Sequence, residues 1–284
     1  MATGKQAIKR RIRSVEATKK ITQAMELIST SKLKKQKAKM EQNREYARTM
    51  HHMIQQILAN SRVDDVEWLK EREDTRPLTI VFTSDLGLCG GYNTNMLRYF
   101  RSQANPQHPV LTIGMKGYHW LNNRKFNILN DIHPSDDLSF LEVSNVVNEA
   151  LSMYLADEIT SINILYTKFV NSVSFEPSII KILPVVKSDV LQQAEESSVF
   201  VDTIFEPSGA AILNQMIPMY VRSLSFSCWL ETKTSEQASR RMAMESATDN
   251  AEEIIDKLVL QYNQSRQAAI TQEISEIVAG ADAL

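Results

Sequence analysis

Three glycines, Gly87, Gly90 and Gly91, stand in the stretch Ser84–Gly91 (SDLGLCGG), directly after the apolar run Leu78–Thr83. Glycines between a strand and a helix can let backbone N–H groups close around a phosphate. A dinucleotide site would space them G-x-G-x-x-G, whereas the spacing here is G-x-x-G-G. No Lys-Ser/Thr pair follows, as a phosphate loop would require. The simpler reading is a tight strand-to-helix turn that uses glycine for its freedom at positive φ. His51 and His52 are adjacent, so a helix points them to different sides, and His108, His119 and His133 lack acidic or thiol neighbours at ligand spacing. Cys89 and Cys228 make neither a disulfide framework nor a metal site. Asp136 and Asp137 read as loop solvation. With no G-x-S-x-G, no Cys-His pair and no His-Glu-x-x-His, the sequence predicts no catalytic centre, no cofactor and no metal.

A second group could act through charge alone. Lys32, Lys34, Lys35, Lys37 and Lys39 crowd the stretch SKLKKQKAK. Net charge is −2, yet residues 1–60 hold fourteen Lys/Arg against four Asp/Glu, and residues 219–284 hold six against ten. A basic segment and an acidic one lower each other's cost when paired, and the remaining positive charge suits nucleic acid, an anionic membrane or an acidic protein. Nucleic-acid surfaces usually add exposed aromatics or an arginine-rich groove, and the lysine run has neither. Charged residues at 23% and hydrophobic residues at 43% describe an ordinary folded chain. No apolar run approaches the roughly 20 residues that span a bilayer. The N-terminus carries no apolar h-region, so no secretory signal is expected, and residues 1–15 fit a mitochondrial presequence only loosely. A reducing compartment is the default for two unpaired cysteines.

Long helices must position these groups. Neither Gly nor Pro occurs from Met219 to Ala279, between Pro218 and Gly280. One uninterrupted helix is therefore permitted there, since Pro and Gly cost roughly 3 and 1 kcal/mol inside a helix. Its apolar residues run Ile255, Val259, Tyr262, Ile270, Ile274 and Ile277 at helical spacing, widened by Ile254 and Leu258. Lys5–Arg76 is likewise free of Gly and Pro, with Ile8, Ile12, Val15, Ile21, Met25, Ile28 and Leu33 in steps that suit a coiled-coil seam. The step from 15 to 21 breaks the heptad. Between the helices, strands are expected at Leu78–Thr83, Val110–Ile113, Asn127–Ile132 and Ser161–Phe169, with edge strands at Ile179–Pro184 and Phe200–Phe205. Helices are expected at Asn93–Ser102, Tyr118–Arg124 and Phe140–Ile159. Such alternation reads as an α/β unit with a mainly parallel sheet.

Four stretches, in order, carry a family resemblance: IRSVEATKKITQAMELISTSKL (12–33), SDLGLCGGYN (84–93), SRRMAMESATDNA (239–251) and ITQEISEIVAGADA (270–283). Together they resemble the gamma subunit of the rotary ATP synthases. The resemblance implies an α/β fold in which N- and C-terminal helices form a long antiparallel coiled coil around an inserted Rossmann-like domain. Its divisions would be a helix over 1–60, a connector over 61–77, a foot over 78–208 and a second helix over 209–284. Within the foot, residues 186–207 are a further expectation. The family's role is that of a non-catalytic rotor shaft inside three alpha and three beta subunits, its foot resting with the epsilon subunit on the membrane c-ring. By position, Met25, Lys32, Lys34, Lys35, Arg240, Arg266, Gln267, Thr271 and Glu273 would contact beta, and Ile270, Ile274 and Ile277 would form the shaft tip. Arg241 stands where the family commonly has an apolar residue, which leaves open which arginine meets beta. No inserted cysteine pair of the plant chloroplast kind is present, so thiol control is not expected. The start directly at a helix points to a bacterial protein, peripheral on the cytoplasmic face of the plasma membrane. Two rivals remain at this level: a basic coiled-coil scaffold for nucleic acid, and an α/β nucleotide-binding enzyme.

Overall fold

The computed structural model describes residues 2–60, 66–70, 72–185 and 205–282. The strand expected over 200–205, apart from Phe205, which is not in a strand, and most of the foot segment 186–207 lie outside them. Two compact units divide the chain: residues 32–239, and residues 1–31 with 240–284. Helices α1 (Ala2–Asn60) and α5 (Gly209–Asp282) contribute to both.

In the larger unit a five-stranded sheet is built from β1 (Pro77–Phe82), β2 (Pro109–Ile113), β3 (Asn127–Ile128), β4 (Ser161–Phe169) and β5 (Phe175–Leu183). The order is β3-β2-β1-β4-β5, parallel except for β5, which runs antiparallel to β4. Period-two alternation explains why the strands read as continuous apolar runs, because both faces are covered. Ile80, Phe82, Leu111, Ile113, Ile162 and Ile164 face a core shared with α4 (Phe140–Leu155), the end of α1 and the start of α5. Val81, Val110 and Leu165 face a second core shared with α2 (Tyr92–Gln103) and with Leu121 of α3 (Met115–Asn122).

Local chemistry sets the ends of these elements. Ser139 and Glu142 form a reciprocal cap at the start of α4, the Glu142 N–H donating to Ser139 Oγ and the Ser139 N–H to Glu142 Oε2. Helix α4 stops at Leu155, short of the expected Ile159, because Asp157 takes a left-handed φ of 58° and turns the chain into β4. Strand β5 begins at Phe175, earlier than the expected Ile179, where the Asn171 carboxamide accepts from the Val173 and Ser174 N–H groups and folds a tight return. Strand β3 is only two residues long. Pro218 does not bound α5. The helix starts at Gly209 behind Ser208, whose Oγ accepts from the Ala211 N–H at 3.2 Å, and it continues through Pro218. Leu213, Ile217 and Val221 around the proline are fully buried. At about 1.5–3 kcal/mol each, that burial outweighs the roughly 3 kcal/mol cost of one internal proline.

In the smaller unit α1 and α5 pair antiparallel. Lys5 Nζ lies 5.9 Å from the Tyr262 ring centre, Lys19 pairs with Glu252 at 3.0 Å, and the Thr22 and Thr248 hydroxyls meet at 2.8 Å. The covered positions of α1 are Lys5, Ile8, Ile12, Val15, Lys19, Thr22, Glu26 and Ser29, with Met25 alone off the register. On α5, from residue 244 onward, they are Met244, Thr248, Ala251, Ile255, Leu258, Tyr262, Ser265 and Ala269, with Ala247 beside them. Both series alternate steps of three and four, an unbroken coiled-coil seam. The break expected at residue 21 arises from following apolar residues. The true register passes through Lys19, Thr22, Glu26 and Ser29, and leaves Ile21 and Ile28 about 60% and 58% exposed.

One close approach is decisive for the sheet. Gly114 follows β2 with φ of 115°, and a Cβ there would collide with the Thr83 carbonyl and hydroxyl. Thr83 Oγ1 donates to the Gly114 carbonyl at 3.1 Å and accepts from the Gly117 N–H at 2.9 Å. Gly114→Ala is therefore expected to lower the unfolding free energy by about 3 kcal/mol. Urea unfolding checks this, and an unchanged midpoint would contradict the contact.

Candidate functional site

In an open parallel sheet, ligands sit outside the carboxyl ends of the strands, where the strand order switches direction. Here that place lies between β1 and β4, and helix α5 occupies it. The Tyr92 hydroxyl donates to the Thr232 carbonyl at 3.1 Å. The Thr167 N–H donates to Thr232 Oγ1, and Ser235 Oγ donates to the Thr167 carbonyl, each at 3.2 Å. Ser239 Oγ donates to the Cys89 carbonyl of the glycine turn at 2.8 Å. Every residue from Thr232 to Ser239 is buried, although only Ala238 among them is apolar. A sequence such as TKTSEQAS reads as a solvated helix face, so periodicity could not find this contact.

The glycine turn itself is closed by its own side chains. Ser84 Oγ donates to the Leu86 carbonyl and accepts from Asn93 Nδ2, both at 2.7 Å. Gly90 takes φ of 56°, as the simpler reading expects, whereas Gly91 lies at −80°, Gly87 is not left-handed, and the turn's other positive φ, 59°, falls on Leu88. The Asp85 carboxylate accepts N–H bonds from Met115 at 3.0 Å, Ser135 at 2.9 and 2.8 Å, and Asp136 at 3.0 Å. Backbone donors at a helix start are an anion site. In this chain an internal carboxylate fills it.

Beside the occupied crevice, Lys233 Nζ donates to Glu236 Oε2 and Asp136 Oδ1 at 2.6 Å each, and to Ser135 Oγ at 3.2 Å. Burial would lower the Lys233 pKa, but Glu236 and Asp136 together raise it, so the ammonium stays charged. Asp136 is thus a structural partner and more than loop solvation. Its other oxygen lies 3.7 Å from Lys32 Nζ. Among the described residues, no group of three or more His, Cys, Asp or Glu side chains is placed to hold a metal. Cys89 and Cys228 are buried thiols outside any disulfide, and burial pushes the Cys228 pKa well up.

The residues expected to meet a partner lie in different settings. Lys34 and Lys35 are exposed on α1. Met25 is half-buried beside the exposed Ile21, Leu27 and Ile28. Arg240 is buried, at 8% exposure, while Arg241 pairs with Glu245 at 2.9 Å. Arg266, Gln267, Thr271 and Glu273 are exposed along α5. Ile270, Ile274 and Ile277 follow Ala269, the last covered position of the seam, and reach 47%, 56% and 71% exposure. Sequence reasoning missed the apolar group at Ile21, Leu27 and Ile28 as a surface, because it placed two of these residues in the seam.

The family model for ATP synthase matches residues 4–284. The ATP synthase gamma chain of Clostridium novyi is 39% identical over 281 residues, 98% of this chain and 97% of its own length. The chain belongs to the ATP synthase gamma family. The gamma chains of Alkaliphilus metalliredigens and Symbiobacterium thermophilum are 36% and 35% identical, each across all of this chain. Among solved structures, a chain of the Euglena gracilis mitochondrial ATP synthase matches with a TM-score of 0.68 at 18% identity, over 100% of this chain and 95% of that one. A chain from the Tetrahymena thermophila central stalk and c-ring matches with a TM-score of 0.58 at 22% identity, over 80% and 99%. At those identities the two structures support the fold. In this gamma-family chain the crevice of the α/β unit is filled by its own helix α5.

Glu231, at the edge of this contact, gives a pH test. Its pKa is raised above 4.5 by burial, against the opposing Phe169 N–H bond and the charges of Arg44 and Lys168. The folded chain therefore holds a proton that the unfolded chain has lost, and stability rises as pH falls through that window. Glu231→Gln removes the penalty. The variant is expected to be more stable than the parent at neutral pH, with the gain fading as pH falls toward 4.5. Paired denaturant titrations at several pH values check it, and a gain that grows toward acid would contradict the assignment.

Proposed function

We propose that this chain is the central rotor shaft of a proton-driven ATP synthase, non-catalytic by itself. It stands inside a ring of three alpha and three beta subunits. Its foot, residues 78–208, rests with the epsilon subunit on the membrane c-ring, on the cytoplasmic face of the plasma membrane. No helix among the described residues is long and apolar enough to cross a membrane. Neither nucleic acid nor a cofactor has a role.

The observation that carries this reading is an apolar surface on a coiled coil whose own seam is already closed. Ile21, Leu27 and Ile28 on α1, and Ile270, Ile274, Ile277 and Val278 on α5, are all exposed. Apolar side chains at such a density on paired helices call for a covering partner. A ring of subunits around the shaft supplies one. Each beta conformation binds one face of the asymmetric shaft best, so turning the shaft shifts each beta subunit between nucleotide-binding states by differential contact. Beyond Ala269 the surface is smooth and short of charge at Ile270, Ile274 and Ile277, which favours weak, reversible contact. Met25, Arg266, Gln267, Thr271 and Glu273 provide polar and polarisable groups beside it, while Lys34 and Lys35 offer charge to an acidic partner segment.

Mixing tests the proposal. The chain alone is expected to be silent in ATP hydrolysis, to co-purify with an alpha–beta hexamer at about one chain per ring, and to change its turnover. Removing residues 275–284 is expected to preserve helical circular dichroism and soluble yield, because residues 275–279 are exposed, and to weaken coupling in the assembled complex. A chain that hydrolyses ATP alone or ignores the hexamer would overturn the proposal.

A further inference from the structure

Lys233 is the one ammonium among the described residues with a side chain only 2% exposed in an ion pair. Its three donors are matched by Glu236, Asp136 and Ser135. The segment that presents Ser135 and Asp136 is itself held by Asp85, through three backbone N–H groups that also include Met115. Asp85 follows the end of β1 by three residues. A chain of charge-assisted bonds thus runs from the carboxyl end of β1, through Asp85 and Asp136, to α5. Lys32 extends it to α1.

Of the other bonds between α5 and the sheet edge, those at Thr232, Ser235 and Ser239 are neutral, and the Glu231 carboxylate accepts a single, longer bond from the Phe169 N–H at 3.3 Å. Charge-assisted bonds are shorter and roughly twice as strong. Direction matters here as much as strength. An apolar contact opposes separation but does little against a helix turning about its own axis, whereas a bonded ion cluster fixes the rotational setting. Buried ion pairs add little net stability over apolar replacements of similar shape, so stability alone is a poor account of this one.

We infer that the Lys233 cluster is the joint that passes torque between the α/β layer and helix α5, with Lys233 acting as a positioning residue. The inference rests on the rotor reading. Its test uses the complete membrane-bound synthase carrying Lys233→Met, Asp136→Asn or Lys233→Arg, and compares ATP hydrolysis with ATP-driven proton pumping. The Asp136 side chain is 40% exposed, and its substitution leaves the Lys233–Glu236 pair in place, so Asp136→Asn keeps the test open should Lys233→Met fail to assemble.

Hydrolysis near the parent rate is expected in Asp136→Asn and Lys233→Met, with protons pumped per ATP reduced by roughly threefold or more. Lys233→Arg is expected to recover most of that loss. Parent-like pumping per ATP in Asp136→Asn would overturn the joint, as would hydrolysis and pumping that fall in strict proportion. Failure of the parent chain to assemble or couple would instead overturn the rotor reading itself, which the parent control reports separately.

Discussion

The structure depends on the contact between a polar stretch of helix and the carboxyl edge of a parallel sheet. Thr232 to Ser239 are buried side by side, and burial of so many polar groups is tolerated only when they are bonded. Thr232, Ser235 and Ser239 meet backbone groups of Thr167 and Cys89 and the Tyr92 hydroxyl, while Lys233 meets Asp136 and Glu236. Partly satisfied, such a network would be a defect. Satisfied, it specifies one seating for α5 and leaves few alternatives.

That seating changes what the α/β layer can be used for. The sheet order, the glycine turn and the backbone donors near α3 are the parts from which nucleotide sites are made. Here the crevice holds α5, and the anion position holds the Asp85 carboxylate. The coiled-coil unit shows a related economy. Its seam is apolar at Ile8, Ile12 and Val15 and turns polar at Lys19, Thr22, Glu26 and Ser29, where the Lys19–Glu252 pair and the Thr22–Thr248 bond hold register. Polar seam residues specify register at a cost in stability. They also leave the neighbouring apolar residues, Ile21, Leu27 and Ile28, facing outward.

Much of the fold was legible in the sequence. The apolar runs of β1, β2 and β4 and the helical repeats at both ends have strong periodicities, and the structure follows them closely. Where the reading departed, an identifiable force prevailed. Burial of Leu213, Ile217 and Val221 carried α5 through Pro218, and the side-chain turn at Asn171 started β5 early. The seam was misread at Ile21 and Ile28 because hydrophobicity was taken as the marker of a register that polar residues maintain. Of the candidate site, the turn at Gly87, Gly90 and Gly91 was read as structural from spacing alone. The Lys233 cluster was not legible, since its members at 85, 136, 233 and 236 come together only through the fold. Nor could the sequence distinguish the settings of Lys32 and Lys34, one in reach of Asp136 and the other on an open face.

Rotation is the central claim, and direct observation tests it best. An alpha–beta hexamer fixed to a surface would carry this chain with a bead attached through Val173→Cys, an exposed position, while Cys89 and Cys228 stay buried from the label. Stepwise turning of the bead in one direction is expected, only while ATP is present. A bead that stays still during hydrolysis, or that swivels equally both ways without ATP, would contradict it.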